Sequence, residues 1–161
     1  MGEETIAEVV ARLLAERELT LGTVECGVDG IVSRQIFDAS DGPTVLGNSL
    51  IVDEVEEAIH ILDLPRPQFK KAGDFSTKAA RAAAREGRAF LGVDLCLAVW
   101  GRAPWGKAPI ADDSRARQPI HVALDTGQKV VVQTFRVGGQ SQRARDELVN
   151  QALDMVRRAL L

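Results

Sequence analysis

The stretch "TLGTVECGVDGIVSRQ", Thr20 to Gln35, decides the fold. It reads as a short strand, Leu19 to Glu25, that turns sharply into a helix, Gly30 to Asp38, with Ile31, Ile36 and Phe37 apolar. Cys26 stands at the corner, and Gly27 and Gly30 follow it. Strand-to-helix corners often present a reactive side chain. Cys26 is therefore a candidate nucleophile. Its thiol would be activated by the N-terminus of the helix that follows. The alternative is a small buried hydrophobe.

Working outward, Thr5 to Arg17 has the apolar spacing of an amphipathic helix, and Thr5 with Glu8 makes a capping box. "DASDGPTV" reads as a turn, and Leu46 to Val52 as a strand. Asp53 to Leu62 is acidic and helical, ended by Pro65 and Pro67, so that "PRPQFKKAGDF" is expected to be a loop. Ser76 caps a helix that runs to Leu91. "VDLCLAVW", Val93 to Trp100, is almost uniformly apolar, as a strand covered on both faces should be. A long loop, "GRAPWGKAPIADDSRARQ", leads to "PIHVAL" and "KVVVQTFRV", which flank "DTGQ" as a β-hairpin. Gln140 to Leu161 is a final amphipathic helix. This order implies a single α/β domain over residues 1–161, a three-layer αβα sandwich with a mixed sheet.

Composition excludes several classes of function. The chain has 161 residues, 45% of them hydrophobic and 27% charged, which suits one soluble globular domain. A net charge of -3 supplies no global field for nucleic acid or anionic membrane. No apolar run approaches a membrane span. "MGEETIAEVV" carries acid where a secretory signal carries base. Two cysteines far apart, Cys26 and Cys96, suggest a reduced, cytoplasmic protein. With only two histidines besides, no metal site is expected.

Three segments together resemble a known family. "LTLGTVECGVDGIVS" looks like "LTLATAESCTGGLIA" of the CinA C-terminal domain. "FSTKAARAAAREGRAFLGVDLCLAVWG" is similar to the family's "VSEEVAREMAEGARERLGADIGLAVTG", and the last hairpin and helix match the family's end. The resemblance implies the family's fold and its dimers or larger homo-oligomers. It also implies relation to nicotinamide mononucleotide deamidases, which need no cofactor. Active members use a Ser nucleophile in "AESCTGG" and a Lys and Tyr in "YSNEAK". A Lys without its proton takes the hydroxyl proton, and the Ser attacks the amide carbonyl.

Against that pattern, the Ser position is Cys26, and alignment on "ILDL" puts Asp53 at the Tyr position and Ala58 at the Lys position. The chain has no Tyr at all, and Lys70 and Lys71 lie beyond two prolines. "SCTGG" becomes "CGVDG", with Val28 for Thr and Asp29 for Gly. Asp29 at the helix start is expected to weaken phosphate binding to the backbone amides there. "TGIAGP" becomes "WGRAP", Trp100 to Pro104, only partly echoed afterwards by Gly106 and Lys107.

Glu25, Gly27, Gly30, Asp53, Trp100, Gly101 and Arg102 are the expected ligand-binding positions, with Cys26 catalytic if any residue is. The ligand implied is a nicotinamide nucleotide or another small amide. Glu25 either orients a neighbour or caps the next helix. Trp100 and Trp105 either stack on a base or fill an emptied pocket. His60 lies two residues after Ala58, a rotation of about 200° on a helix, so it should face away from Cys26. His121 alternates with Ile120 and Val122 and is expected to face solvent. Arg102, Lys107, Arg115 and Arg117 read as a solvated basic loop balanced by Asp112 and Asp113. The loss of Ser, Lys and Tyr together favours a protein that binds a ligand or partner. An amide hydrolase working through Cys26 is the alternative.

Overall fold

The computed structural model describes residues 2–105, 118–139 and 141–161. The first helix, α1 (Ile6–Glu16), begins at Thr5, whose hydroxyl accepts from the Glu8 amide while the Glu8 carboxylate accepts from the Thr5 amide, both at 3.1 Å. The expected capping box is therefore present. Next come β1 (Leu21–Cys26), α2 (Ile31–Asp38), the single-turn α3 (Gly42–Val45) and β2 (Leu46–Val52). Then α4 (Val55–Leu62), α5 (Arg66–Ala72) and α6 (Thr77–Leu91) lead to β3 (Leu95–Gly101). The chain ends in the hairpin β4 (Gln118–Asp125) and β5 (Val130–Val137), and in α7 (Gln142–Ala159).

The five strands form one sheet in the order β2-β1-β3-β4-β5. β1 is parallel to both its neighbours, and the pairs β3/β4 and β4/β5 are antiparallel, so the sheet is mixed as expected. One buried cluster joins α1, α2, α3 and α7 to one face of the sheet through Leu97, Val99 and Ile120. A second joins α4, α5 and α6 to the other face through Val24, Ala98 and Trp100. The result is the three-layer sandwich. Every residue of β1 and β3 is buried, which is why neither strand alternates in hydropathy.

Two segments differ from their sequence reading. "PRPQFKKAGDF" contains α5 rather than a loop. Pro67 falls in the first turn, where an amide would have no helical partner, so proline starts this helix instead of ending one. "DASDGPTV" likewise holds α3, again with Pro in the first turn. Of the long loop, Gly106, Lys107, Asp112, Asp113, Arg115 and Arg117 lie outside the described residues.

Candidate functional site

The carboxyl ends of the parallel strands bring the sequence candidates together. Open α/β sheets ordinarily seat their ligands there. In parallel register, Cys26 pairs with Val52 on one side and Trp100 on the other, and Glu25 pairs with Ile51 and Val99. Successive strand residues face opposite sides of a sheet. Glu25 and Cys26 are therefore divided between the two layers.

Glu25 faces α2 and is fully buried. Its Oε1 accepts from the Val32 amide at 2.9 Å, and its Oε2 accepts from the Ser33 amide at 3.0 Å and from the Thr23 hydroxyl at 3.0 Å. The Ser49 hydroxyl lies 2.8 Å from Thr23 Oγ1 and extends the chain toward the edge strand. Burial pushes the Glu25 carboxyl up from its ordinary range, and the two amides and the Thr23 hydroxyl pull the other way. The hydroxyl chain tolerates both states. Thr23 donates to the ionised carboxylate, or accepts from the neutral acid and donates onward to Ser49. Of the two roles open for Glu25, the structure gives the cap. Asp29 was expected to affect the same amides; it is exposed, the N-cap of α2 is Gly30, and among the described residues the Asp29 carboxylate accepts no hydrogen bond. The amides at the helix start are taken by Glu25 before any phosphate could reach them.

Cys26 faces away from α2 and packs with Val52, Ala58, Ala98 and Trp100 in the second cluster. Its relative exposure is 0%. Burial pushes the thiol up to about 12; the acidic start of α4, Glu54 and Glu57, adds to this, and Arg102 opposes it. Of the two readings of Cys26, this favours the small buried hydrophobe over a thiol activated by a helix N-terminus. The helix in question lies across the sheet, and the layer on the Cys26 side is apolar and acidic. Among the described residues, the sulfur makes no hydrogen bond.

The remaining candidates close the corner rather than open it. Gly27 has φ 79°, and a Cβ there would lie 1.9 Å from the Gly101 carbonyl oxygen. The Gly27 amide donates to Val52 O at 3.2 Å, and its carbonyl accepts from the Ala103 amide at 3.1 Å. Gly101 is itself pressed against Ile120 and the Pro119 carbonyl. Gly30, with φ 70°, starts α2 against the Ile51 side chain. Trp100 is fully buried; its indole N–H donates to Asp74 O at 2.7 Å, and its ring tilts against Phe69 at 6.4 Å between centroids. It fills space and has no free face for stacking on a base. Trp105 donates to Val28 O at 3.3 Å, and Arg145 lies 5.7 Å over its ring. Arg102 is exposed and lies 5.4 Å over Phe75.

Ala58, which the resemblance aligns with the family's Lys, is buried in the same cluster as Cys26. Asp53, which the same resemblance aligns with its Tyr, is only half-buried, just before α4. His60 is exposed on the far face of α4, as the helical rotation implied. Lys70 and Lys71 are exposed on α5, a separate helix. His121 is not the solvent-facing residue expected. It pairs with Trp100 in register, lies on the α6 side and is half-buried, with Nδ1 2.8 Å from Thr134 Oγ1. Burial holds its imidazole below the ordinary range. Thr23, Ser49, Phe69 and Asp74 complete this corner and were not singled out in the sequence. The only signal for Thr23 was a hydroxyl two residues from Glu25 in an otherwise apolar strand.

The family model of the CinA C-terminal domain matches residues 3–160. The chain belongs to the CinA C-terminal domain family. A CinA-like protein of Geobacter sulfurreducens is 32% identical over 161 residues, covering 99% of this chain and 38% of that protein. A CinA-like protein of Kosmotoga olearia is 28% identical over 162 residues, covering all of this chain and again 38% of the relative. The chain thus spans well under half the length of these relatives. The family fold is also seen in a competence or damage-inducible protein of Enterobacter asburiae, with a TM-score of 0.83 at 19% identity, covering 99% of this chain and 100% of that one. A CinA superfamily protein of Escherichia coli has a TM-score of 0.79 at 17% identity, covering 96% and 87%. Family membership and fold rest on these matches.

Proposed function

We propose that this CinA-family domain has lost amide hydrolysis and acts by binding a small ligand, a nicotinamide nucleotide or related amide, or a protein partner. The observation that carries this reading is the state of Cys26. Nucleophilic attack needs a thiolate or a base that makes one. Cys26 has a thiol pushed up to about 12, apolar neighbours and acidic groups beyond them. Ala58 supplies nothing at the position where the family carries its Lys. Support for a binding role comes from the cavity of about 480 Å³ beside Gly30, between α2 and β2, lined in part by Arg34, Phe37, Ser49 and Ile51. Its mixed polar and apolar walls suit a small polar molecule.

Two features belong to the same proposal. Both cysteines are free and buried, which fits a reducing cytoplasm, and among the described residues no helix is long and apolar enough to cross a membrane. The exposed Phe37 and Ile51 beside the edge strand fit a homo-oligomer.

The test is ammonia release from nicotinamide mononucleotide by the purified chain and by Cys26→Ala. Neither is expected to exceed the uncatalysed rate. Cys26→Ser should not restore turnover either, because no base accompanies it. Turnover by the parent chain that disappears in Cys26→Ala would overturn the proposal. A thermal-shift titration with the nucleotide then reads binding directly, since a ligand that binds only the native state raises the midpoint.

A further inference from the structure

Away from this corner, the outer faces of α5 and α6 enclose a cleft of about 520 Å³ lined by Pro67, Gln68, Lys71, Lys78, Arg81 and Arg85, with Ala82 at its base. On α6, positions 78, 81, 82 and 85 recur at i, i+3, i+4 and i+7, so one helical stripe supplies three cations. The opposite stripe of the same helix, Ala79, Ala80, Ala83, Ala84 and Gly87, is buried against the sheet. Lys71, in the last turn of α5, adds a fourth cation across the cleft. Among the described residues, no carboxylate lines the cleft or pairs with any of the four.

Such an arrangement is unfavourable for the isolated fold. Lys78 with Arg81 and Arg81 with Arg85 place like charges at i,i+3 and i,i+4, a spacing that destabilises a helix. Lys78 also sits in the first turn of α6, where the helix dipole disfavours a cation. Some other cations are paired: Arg12 lies between Glu4 and Glu16, Arg66 against Glu56, and Asp154 between Arg157 and Arg158. In a chain of net charge -3, four cations without a carboxylate partner converge on one concave surface, with Arg81 also donating to Val130 O at 3.4 Å.

We infer that the α5–α6 cleft is an anion site for a compact molecule carrying two or more phosphoryl groups. A multivalent anion relieves the repulsion along α6 and bridges it to Lys71, and Arg81 and Arg85 offer paired N–H donors suited to phosphoryl oxygens. The cleft is concave and bounded by two helices, which fits a compact ligand better than an extended polymer. Among the described residues no aromatic side chain lines it, so a nucleobase gains no stacking partner there and the phosphoryl groups carry the recognition.

Isothermal titration of the full chain with tripolyphosphate, and separately with ADP, at constant ionic strength tests this. Saturable one-to-one binding of tripolyphosphate is expected. ADP should bind no more tightly, and a chloride control should give no signal. The double variant Lys78→Glu/Arg85→Glu should bind at least tenfold more weakly, while Lys78→Arg and the distant Arg143→Glu/Arg158→Glu should bind as the parent does. All of these side chains except Arg158 lie outside ion pairs, and circular dichroism checks that each variant is folded. Equal affinity in the parent and in Lys78→Glu/Arg85→Glu overturns the proposal. So does a stoichiometry above one, tighter binding of ADP by tenfold, or chain association on light scattering as the main effect of adding the anion.

Discussion

Glu25 and Cys26 are adjacent in the chain and equally buried, yet they differ in almost every other respect. Glu25 is a charge-bearing group with hydrogen bonds at both oxygens, two of them from the start of α2. Cys26 is a reactive group with no polar partner among the described residues, facing an apolar layer. Strand alternation alone separates them, because it turns the one toward α2 and the other away. In this corner, therefore, the polar chemistry serves the fold, and the nucleophile position serves packing.

The largest expected effect comes from the hinge common to both residues. Gly27→Ala puts a Cβ against the Gly101 carbonyl and forces a side chain onto a left-handed backbone. A loss of roughly 3–5 kcal/mol is expected, enough to leave most chains unfolded, read from the urea midpoint. Stability within 1 kcal/mol of the parent would mean that the two strand ends are not stitched together as described.

Next come the two sides. Trp100→Ala removes the largest side chain of the Cys26 side and the indole bond to Asp74, and should cost about 3–5 kcal/mol. Glu25→Ala, on the other side, leaves two buried amides and the Thr23 hydroxyl without their acceptor, and should cost about 2–4 kcal/mol. Glu25→Gln keeps one acceptor oxygen and should cost less. It also isolates a titration. The folded Glu25 binds its proton more tightly than the ordinary value of 4.5. Its contribution is then fully present below that value and is lost as pH rises through the raised folded one. A stability profile that falls over this window in the parent and is flatter in Glu25→Gln is the expected result; a parent profile that rises there would mean that the hydrogen bonds outweigh burial.

The fold was legible because its longest signals are local. A uniformly apolar run, a hairpin turn and capped amphipathic helices each state their structure within a few residues. What escaped was directional. Pro65 and Pro67 mark a helix end or a helix start equally well, and only the next turn decides. His121 does alternate away from Ile120 and Val122, but α6 covers that face of the sheet as well, so alternation did not mean exposure. The choice between the two readings of Cys26 is directional as well. With Glu25 capping α2, the two-residue period places Cys26 on the opposite side of the sheet, out of reach of the helix dipole. Trp100 opposite Cys26 was visible in the sequence only as a bulky residue near the end of a strand.

A smaller effect distinguishes the thiols by pH. Both Cys26 and Cys96 are pushed up to about 12 by burial, against an ordinary value of 9.0. The folded state therefore holds both protons after the unfolded chain has released them. Stability is unaffected below 9 and falls above it, by about 1.4 kcal/mol per pH unit for each thiol at the steepest. Chemical denaturation at pH 8 and pH 10 reads this, and labelling by a thiol reagent should follow the unfolding rate. Rapid labelling of one thiol in the native protein would show that Cys26 is reachable after all.

The smallest effect is the most specific. Cys26→Ala removes one sulfur from a packed apolar site and should cost about 1 kcal/mol. Cys26→Ser keeps nearly the same shape but buries a hydroxyl, whose cost without a partner is about 1–3 kcal/mol. In a corner built to present a nucleophile, serine would find a hydrogen-bond acceptor, and Cys26→Ser would be the more stable of the two. In the corner described here it finds apolar side chains, and Cys26→Ala should be the more stable. The order of the two melting temperatures therefore reports whether a polar partner lies beside position 26, without any substrate being named.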